Sequence, residues 1–134
     1  MTNKTDREII QHIDEEFAFL ISSLKDLARS VPPENLLRSA AAIEQMCGGL
    51  TANLWDDPFE WTLPETLSNV DRIIEYLSEV DLARQRAFNT IDDGALTKYI
   101  AVPSGESRML ISLLLETLVR ASEFRGRASV QRNR

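Results

Sequence analysis

The spacing of apolar residues constrains this chain more than any other feature. Between about residue 5 and residue 30 they fall at Ile10, Ile13, Phe17, Leu20, Leu24 and Leu27, in steps of three or four. An α-helix turns once every ~3.6 residues, so this rhythm puts all six side chains on one face. A strand, with its alternating faces, cannot present them together. The rhythm returns three times. Leu36, Leu37, Ala40, Ile43, Cys47, Leu50 and Leu54 predict a second helix over 34–54. Leu67, Val70, Ile74, Leu77 and Val80 predict a third, ending near residue 87. Leu110, Leu113, Leu114, Thr117, Leu118 and Ala121 predict a fourth over 106–129, and Ile111 and Leu115 widen its apolar arc. That width predicts the fourth helix to be the most buried.

Breaks in the pattern fall where helices should end. Pro32 and Pro33 close the first helix, because proline lacks the amide donor and restricts the residue before it. Thr62, followed by Pro64 and Glu65, has the form of a capped start for the third. Asp92, Asp93 and Gly94 mark a turn, with a short helical turn expected over 95–99. The stretch AVPSGES, 101–107, is expected to be a loop in which Ser104 or Ser107 caps the last helix. Short connections favour antiparallel neighbours. The expectation is an all-α, up-and-down four-helix bundle forming a single domain, 1–134.

Composition excludes several classes. Glycine and proline number five each, too few for a turn-rich β-sandwich. The net charge of −6 repels phosphate backbones, so no nucleic-acid partner is expected. Arg120, Arg125, Arg127, Arg132 and Arg134 form a local basic exception, expected to be a frayed tail. No run approaches the ~18 apolar residues of a membrane span, so no membrane partner is expected either. The polar N-terminal stretch has no signal-peptide core. A single cysteine, Cys47, permits no intramolecular disulfide and suits a reducing cytoplasm.

Few residues point to chemistry. His12 is the sole histidine and sits in a polar stretch, as a surface residue would. Cys47 lies on an apolar face with no nearby histidine or lysine, so an inert thiol is expected over a nucleophile. Gly48 and Gly49 interrupt the second helix. They mark close packing, a kink or the floor of a pocket. Trp55, Phe59 and Trp61 cluster beside Asp56, Asp57 and Glu60. The cluster is either a loop packed on the bundle end, a ligand wall or an interface anchor. Glu116, Arg120, Glu123 and Arg127 recur at helical spacing. They form either a ladder of surface ion pairs or, if Glu116 or Arg120 points inward, part of a site.

The stretch VPSGESRMLISLLLETLVRASEFRGRA resembles the last helix of the DinB-like superfamily. These are bacterial four-helix bundles, many described as metal-dependent hydrolases or thiol-dependent transferases. Their last helix is leucine-rich, then carries two histidines four apart, then arginine, glycine and glutamine. Here the Arg-Gly pair is Arg125–Gly126. TLPETLSNVDRIIEYLSEV and IDDGALTKYI are similar to the family's third helix and crossover. The resemblance spans about 10–130, although its specific part is short.

The resemblance implies a metal held by three histidines, one from the second helix and two from the fourth. Those positions fall on Gln45 (Cys47 in a looser register), Arg120 and Phe124. None is histidine, and arginine keeps its proton and repels a cation, so no metal cofactor is expected. A mixed set of Glu116, Glu123 and Cys47 would need a register shift. The pocket candidates are Gln45, Cys47, Trp55, Trp61, Glu116, Arg120, Glu123 and Phe124. The reading that follows is a divergent family member with a degenerate metal site. It would bind an anionic small molecule, or act as an interaction protein, with Arg120 supplying the fixed positive charge. The alternatives are a hydrolase or thiol transferase using other residues, and a bundle unrelated to the family. The resemblance also implies a homodimer, through the arc of the fourth helix or the Trp55–Trp61 cluster.

Overall fold

Four helices form where the periodicity puts them. The computed structural model describes residues 4–57 and 69–131. In it, α1 spans Lys4–Leu27, α2 Pro33–Ala52, α3 Val70–Asn89 and α4 Leu110–Gln131. All six residues of the first apolar stripe are buried. Pro33 opens α2 at a position where a missing amide donor is no loss. Asn53 ends that helix with a φ of 56°, and the amides of Asn53 and Leu54 bond the carbonyls of Gly49 and Gly48, each at 3.1 Å. This left-handed cap stops α2 two residues short of Leu54. The Asn69 side chain caps α3 by accepting from the Arg72 amide at 2.9 Å. The start expected at Thr62, Pro64 and Glu65 lies outside the described residues.

The segment before α4 differs from the expected loop. After a 3-10 turn at Ala95–Thr97, β1 (Tyr99–Ala101) pairs antiparallel with β2 (Ser107–Met109), Ile100 opposite Arg108. The Gly105 amide bonds the Val102 carbonyl and the Val102 amide bonds the Glu106 carbonyl, both at 3.0 Å. Pro103, with its fixed φ, suits the second position of this turn, and Gly105 supplies the positive φ of 87° that closes it. Ser104 and Ser107 therefore belong to turn and strand rather than to a cap. The chain passes from β2 into α4 with no break.

Cross-helix pairs give the directions of the helices. Arg7 meets Asp93, Asp14 meets Arg84 and Arg29 meets Asp71. Numbers rising along α1 thus fall along α3, and the two are antiparallel. On α2 and α4, Ala42 shares a cleft with Phe124 and Met46 shares a groove with Thr117 and Leu113, so these helices are antiparallel too. The short link between α1 and α2 makes the chain reverse. The bundle is therefore ordered up, down, down, up, with α2 and α3 parallel, rather than strictly alternating. The main faces join α2 to α4, α2 to α3, α1 to α3 and α1 to α4. The directly linked α1 and α2 touch little and lie diagonally. Loop length set direction here, and side-chain shape set neighbours.

The most buried helix is α2, not α4. Leu36, Leu37, Ser39, Ala40, Ala41, Ala42, Ile43, Met46, Cys47 and Gly49 are all buried. The run of small residues lets α2 approach both neighbours closely. Leu115 and Val119 of α4, by contrast, are 45% and 58% exposed, because its apolar arc is wider than its contacts. No described helix is long and apolar enough to cross a membrane.

Three polar side chains, Ser39, Arg84 and Tyr76, tie the helices together. The Ser39 hydroxyl donates to the Ala121 carbonyl at 2.6 Å, joining α2 to α4. Arg84 is buried against α1, where it pairs with Asp14 and, at 2.9 Å, with Asp81. Burial works against its charge, but the two carboxylates prevail and hold its pKa above the ordinary value. Tyr76 donates to Glu44 Oε2 at 2.6 Å, joining α3 to α2. Burial raises the Glu44 pKa, and the Tyr76 bond only partly opposes it.

Two outcomes follow from these contacts. Arg84→Ala leaves Asp14 and Asp81 facing each other without a cation and should cost about 2–4 kcal/mol, read from urea unfolding. For Glu44, a folded pKa above the unfolded one means stability that is full below the unfolded value. It is lost as pH rises through the folded value. Glu44→Gln should therefore gain stability relative to wild type as pH rises through and above the ordinary glutamate range, measured as urea midpoints across pH.

Candidate functional site

The hairpin, the end of α2 and the middle of α4 enclose a groove of about 500 Å³. Gln45, Met46, Trp55, Val102, Pro103, Arg108, Leu113, Glu116, Thr117 and Arg120 line it. Its apolar wall comes from Met46, Trp55, Val102, Pro103 and Leu113. A second cleft of about 110 Å³ adjoins it, lined by Arg38, Ala42, Gln45, Asp57, Arg120 and Phe124. Gln45 and Arg120 belong to both.

Gln45 organises this junction. Its Nε2 donates to the Trp55 carbonyl at 2.8 Å, and its Oε1 accepts from Arg120 Nη2 at 3.0 Å. A carbonyl can only accept and a guanidinium can only donate, so the two contacts fix which way the amide faces. Arg120 is thereby held by a neutral group. Arg108, which also lines the groove, is instead neutralised by Glu116.

Trp55 owes its place to Gly49. A Cβ built on Gly49 would lie 2.3 Å from ring atoms Cδ2 and Cε3 of Trp55, so only glycine leaves room for the ring against α2. The indole Nε1 donates to Asn53 Oδ1 at 2.9 Å, fastening the ring to the αL residue that ends the helix. The two expectations for the glycines therefore meet at one place. Gly49 is a site of close approach, and what approaches is a pocket wall.

The site expectations divide. Gln45, Trp55, Glu116 and Arg120 come together in the groove, and Phe124 stands in the adjoining cleft. Cys47 does not reach either. It is 1% exposed in the core, and burial pushes its thiol up to about 12, with Arg84 opposing the shift and Glu44 and Asp14 adding to it. Such a thiol stays protonated at neutral pH and is a poor nucleophile. Glu123 is exposed and lines neither space. Trp61 lies outside the described residues. His12 is exposed, as expected. The ion-pair ladder on α4 is not formed: Glu116 turns to Arg108, Arg120 to Gln45, and Arg127 lies 5.3 Å from the Phe124 ring centre.

Met46, Val102, Pro103, Arg108, Leu113 and Thr117 also line the groove, and none was expected there. Met46, Leu113 and Thr117 have the spacing of core residues, and only the hairpin brings Val102, Pro103 and Arg108 over them.

The positions assigned to metal ligands by the resemblance, Gln45, Arg120 and Phe124, do meet around one cleft. Their chemistry does not fit a divalent cation. The Gln45 oxygen is taken by a guanidinium, Phe124 offers no lone pair, and Arg120 brings a positive charge. Among the described residues no three His, Cys, Asp or Glu side chains converge, so the mixed set of Glu116, Glu123 and Cys47 is not assembled.

Gly49→Ala tests the seat of the indole. Alanine in a helix interior ordinarily gains about 0.5–1 kcal/mol over glycine. Here it should instead destabilise by about 1–3 kcal/mol, because the ring must leave. In a Trp61→Phe background, the emission of Trp55 should shift to the red as its ring enters water.

No family model, curated protein or solved structure matches this chain.

Proposed function

We propose that this chain is a divergent DinB-like bundle protein that binds a small, largely apolar anion, with Arg120 standing where the family's metal would be. One observation carries the reading: Arg120 faces the groove on a neutral amide, not a carboxylate. A guanidinium has five N–H donors. Among the described residues only one of them is used, and Arg120 forms no ion pair. On a chain of net charge −6, an uncompensated cation between two clefts favours an anionic ligand.

The rest of the groove supports an apolar body for that ligand. Its volume is within the ~300–1,000 Å³ of small-molecule sites. With Arg108 already neutralised, one charge is left to match, which favours a monoanion. A reducing cytoplasm suits the single buried thiol. A homodimer, implied by the resemblance, would find exposed apolar side chains at Leu115 and Val119.

Octanoate is a suitable probe. Calorimetric titration of the chelator-treated full chain should show saturable binding, weakened at least about tenfold by Arg120→Gln. Absence of binding to the wild type, or binding that appears only on adding zinc, would overturn the reading.

A further inference from the structure

Thr117 stands out among the groove residues. It is 5% exposed, yet its hydroxyl makes no hydrogen bond to any described residue. A helical threonine ordinarily returns its hydroxyl to a carbonyl about one turn back. Thr51 does so here, donating to the Cys47 carbonyl at 2.8 Å, and Thr90 donates to the Ala87 carbonyl at 2.7 Å. Thr117 does not, and its oxygen is not sealed off from the groove it lines.

The oxygen is therefore open to the groove, where solvent can satisfy it, and valine would fill the same shape while removing only that donor. What a hydroxyl at this place offers is a donor to whatever enters the groove. Thr117 and Arg120 are three positions apart on α4, so their side chains are neighbours on one face. Both present donors to the same space: Arg120 a planar fork, Thr117 a single O–H. A group with two acceptor oxygens and a negative charge answers both donors and the charge of the guanidinium. A carboxylate matches, taking paired N–H bonds from the fork and the O–H on a remaining lone pair.

We propose that Thr117 is a specificity-determining residue of the groove, its hydroxyl donating to a ligand carboxylate that Arg120 holds by charge, with the ligand's apolar body against Met46 and Leu113. This rests on the binding function proposed above and names the ligand class as a monocarboxylate with a hydrocarbon tail or ring.

The test uses opposite signs in two readouts on the full chain. Thr117→Val should melt at the same temperature as wild type or higher, yet bind octanoate about tenfold more weakly. Thr117→Ser, which restores the hydroxyl, should recover most of the affinity. A purely structural threonine would not separate the two readouts in this way. If Thr117→Val binds octanoate as tightly as wild type while Arg120→Gln weakens it, the role given to Thr117 is overturned and the binding function stands. If the wild type does not bind octanoate, both are overturned.

Discussion

The close approach of α2 to its two neighbours is the contact on which the rest depends. Ser39, Ala40, Ala41 and Ala42 form a thin, buried run on α2 between α3 and α4. Small side chains let the backbones draw together, and the partners bring larger buried residues, Leu77 on α3 and Leu114 on α4, to the same core. At that distance the Ser39 hydroxyl can reach the Ala121 carbonyl. A larger side chain at Ser39 or Ala42 would push α4 away and carry Arg120 from Gln45. The site is thus set by packing one and two turns from it.

Polar contacts divide into two kinds. Arg84 with Asp14, and Tyr76 with Glu44, lie between helices, and Asp81 of α3 completes the partners of Arg84. Such buried networks give direction to an otherwise uniform apolar interior. Around the groove two donors are left open among the described residues. Arg120 has one neutral partner, and the Thr117 hydroxyl has none among the described residues. Open donors on the walls of a cavity are groups that a ligand can complete.

The groove is made by elements that do not themselves belong to the bundle. The hairpin brings Val102, Pro103 and Arg108 over α4, and the cap at Asn53 turns the chain so that Trp55 folds back on Gly49. Both depend on backbone conformations with positive φ, at Gly105 and Asn53. The bundle supplies rigid walls and these two turns supply a rim.

The sequence by itself determined four helices and most of their buried faces, because a period of three to four residues is a local property of the chain. It determined that Gln45 and Arg120 were worth watching, through a resemblance and through a charged residue near an apolar arc. It read Cys47 as an inert thiol on an apolar face, as the structure has it, but could not show that this residue misses the groove, nor that α4 is half-exposed while α2 is enclosed. Neighbour choice depends on how surfaces of different widths pack, and no single helix carries that information. The hairpin escaped for a related reason: three-residue strands leave too short an alternation to detect, although Pro103 and Gly105 carried the turn signal. Only the tertiary structure decided that Arg120 rests on an amide and that Thr117 lines a groove, because both facts are relations between residues far apart in the chain.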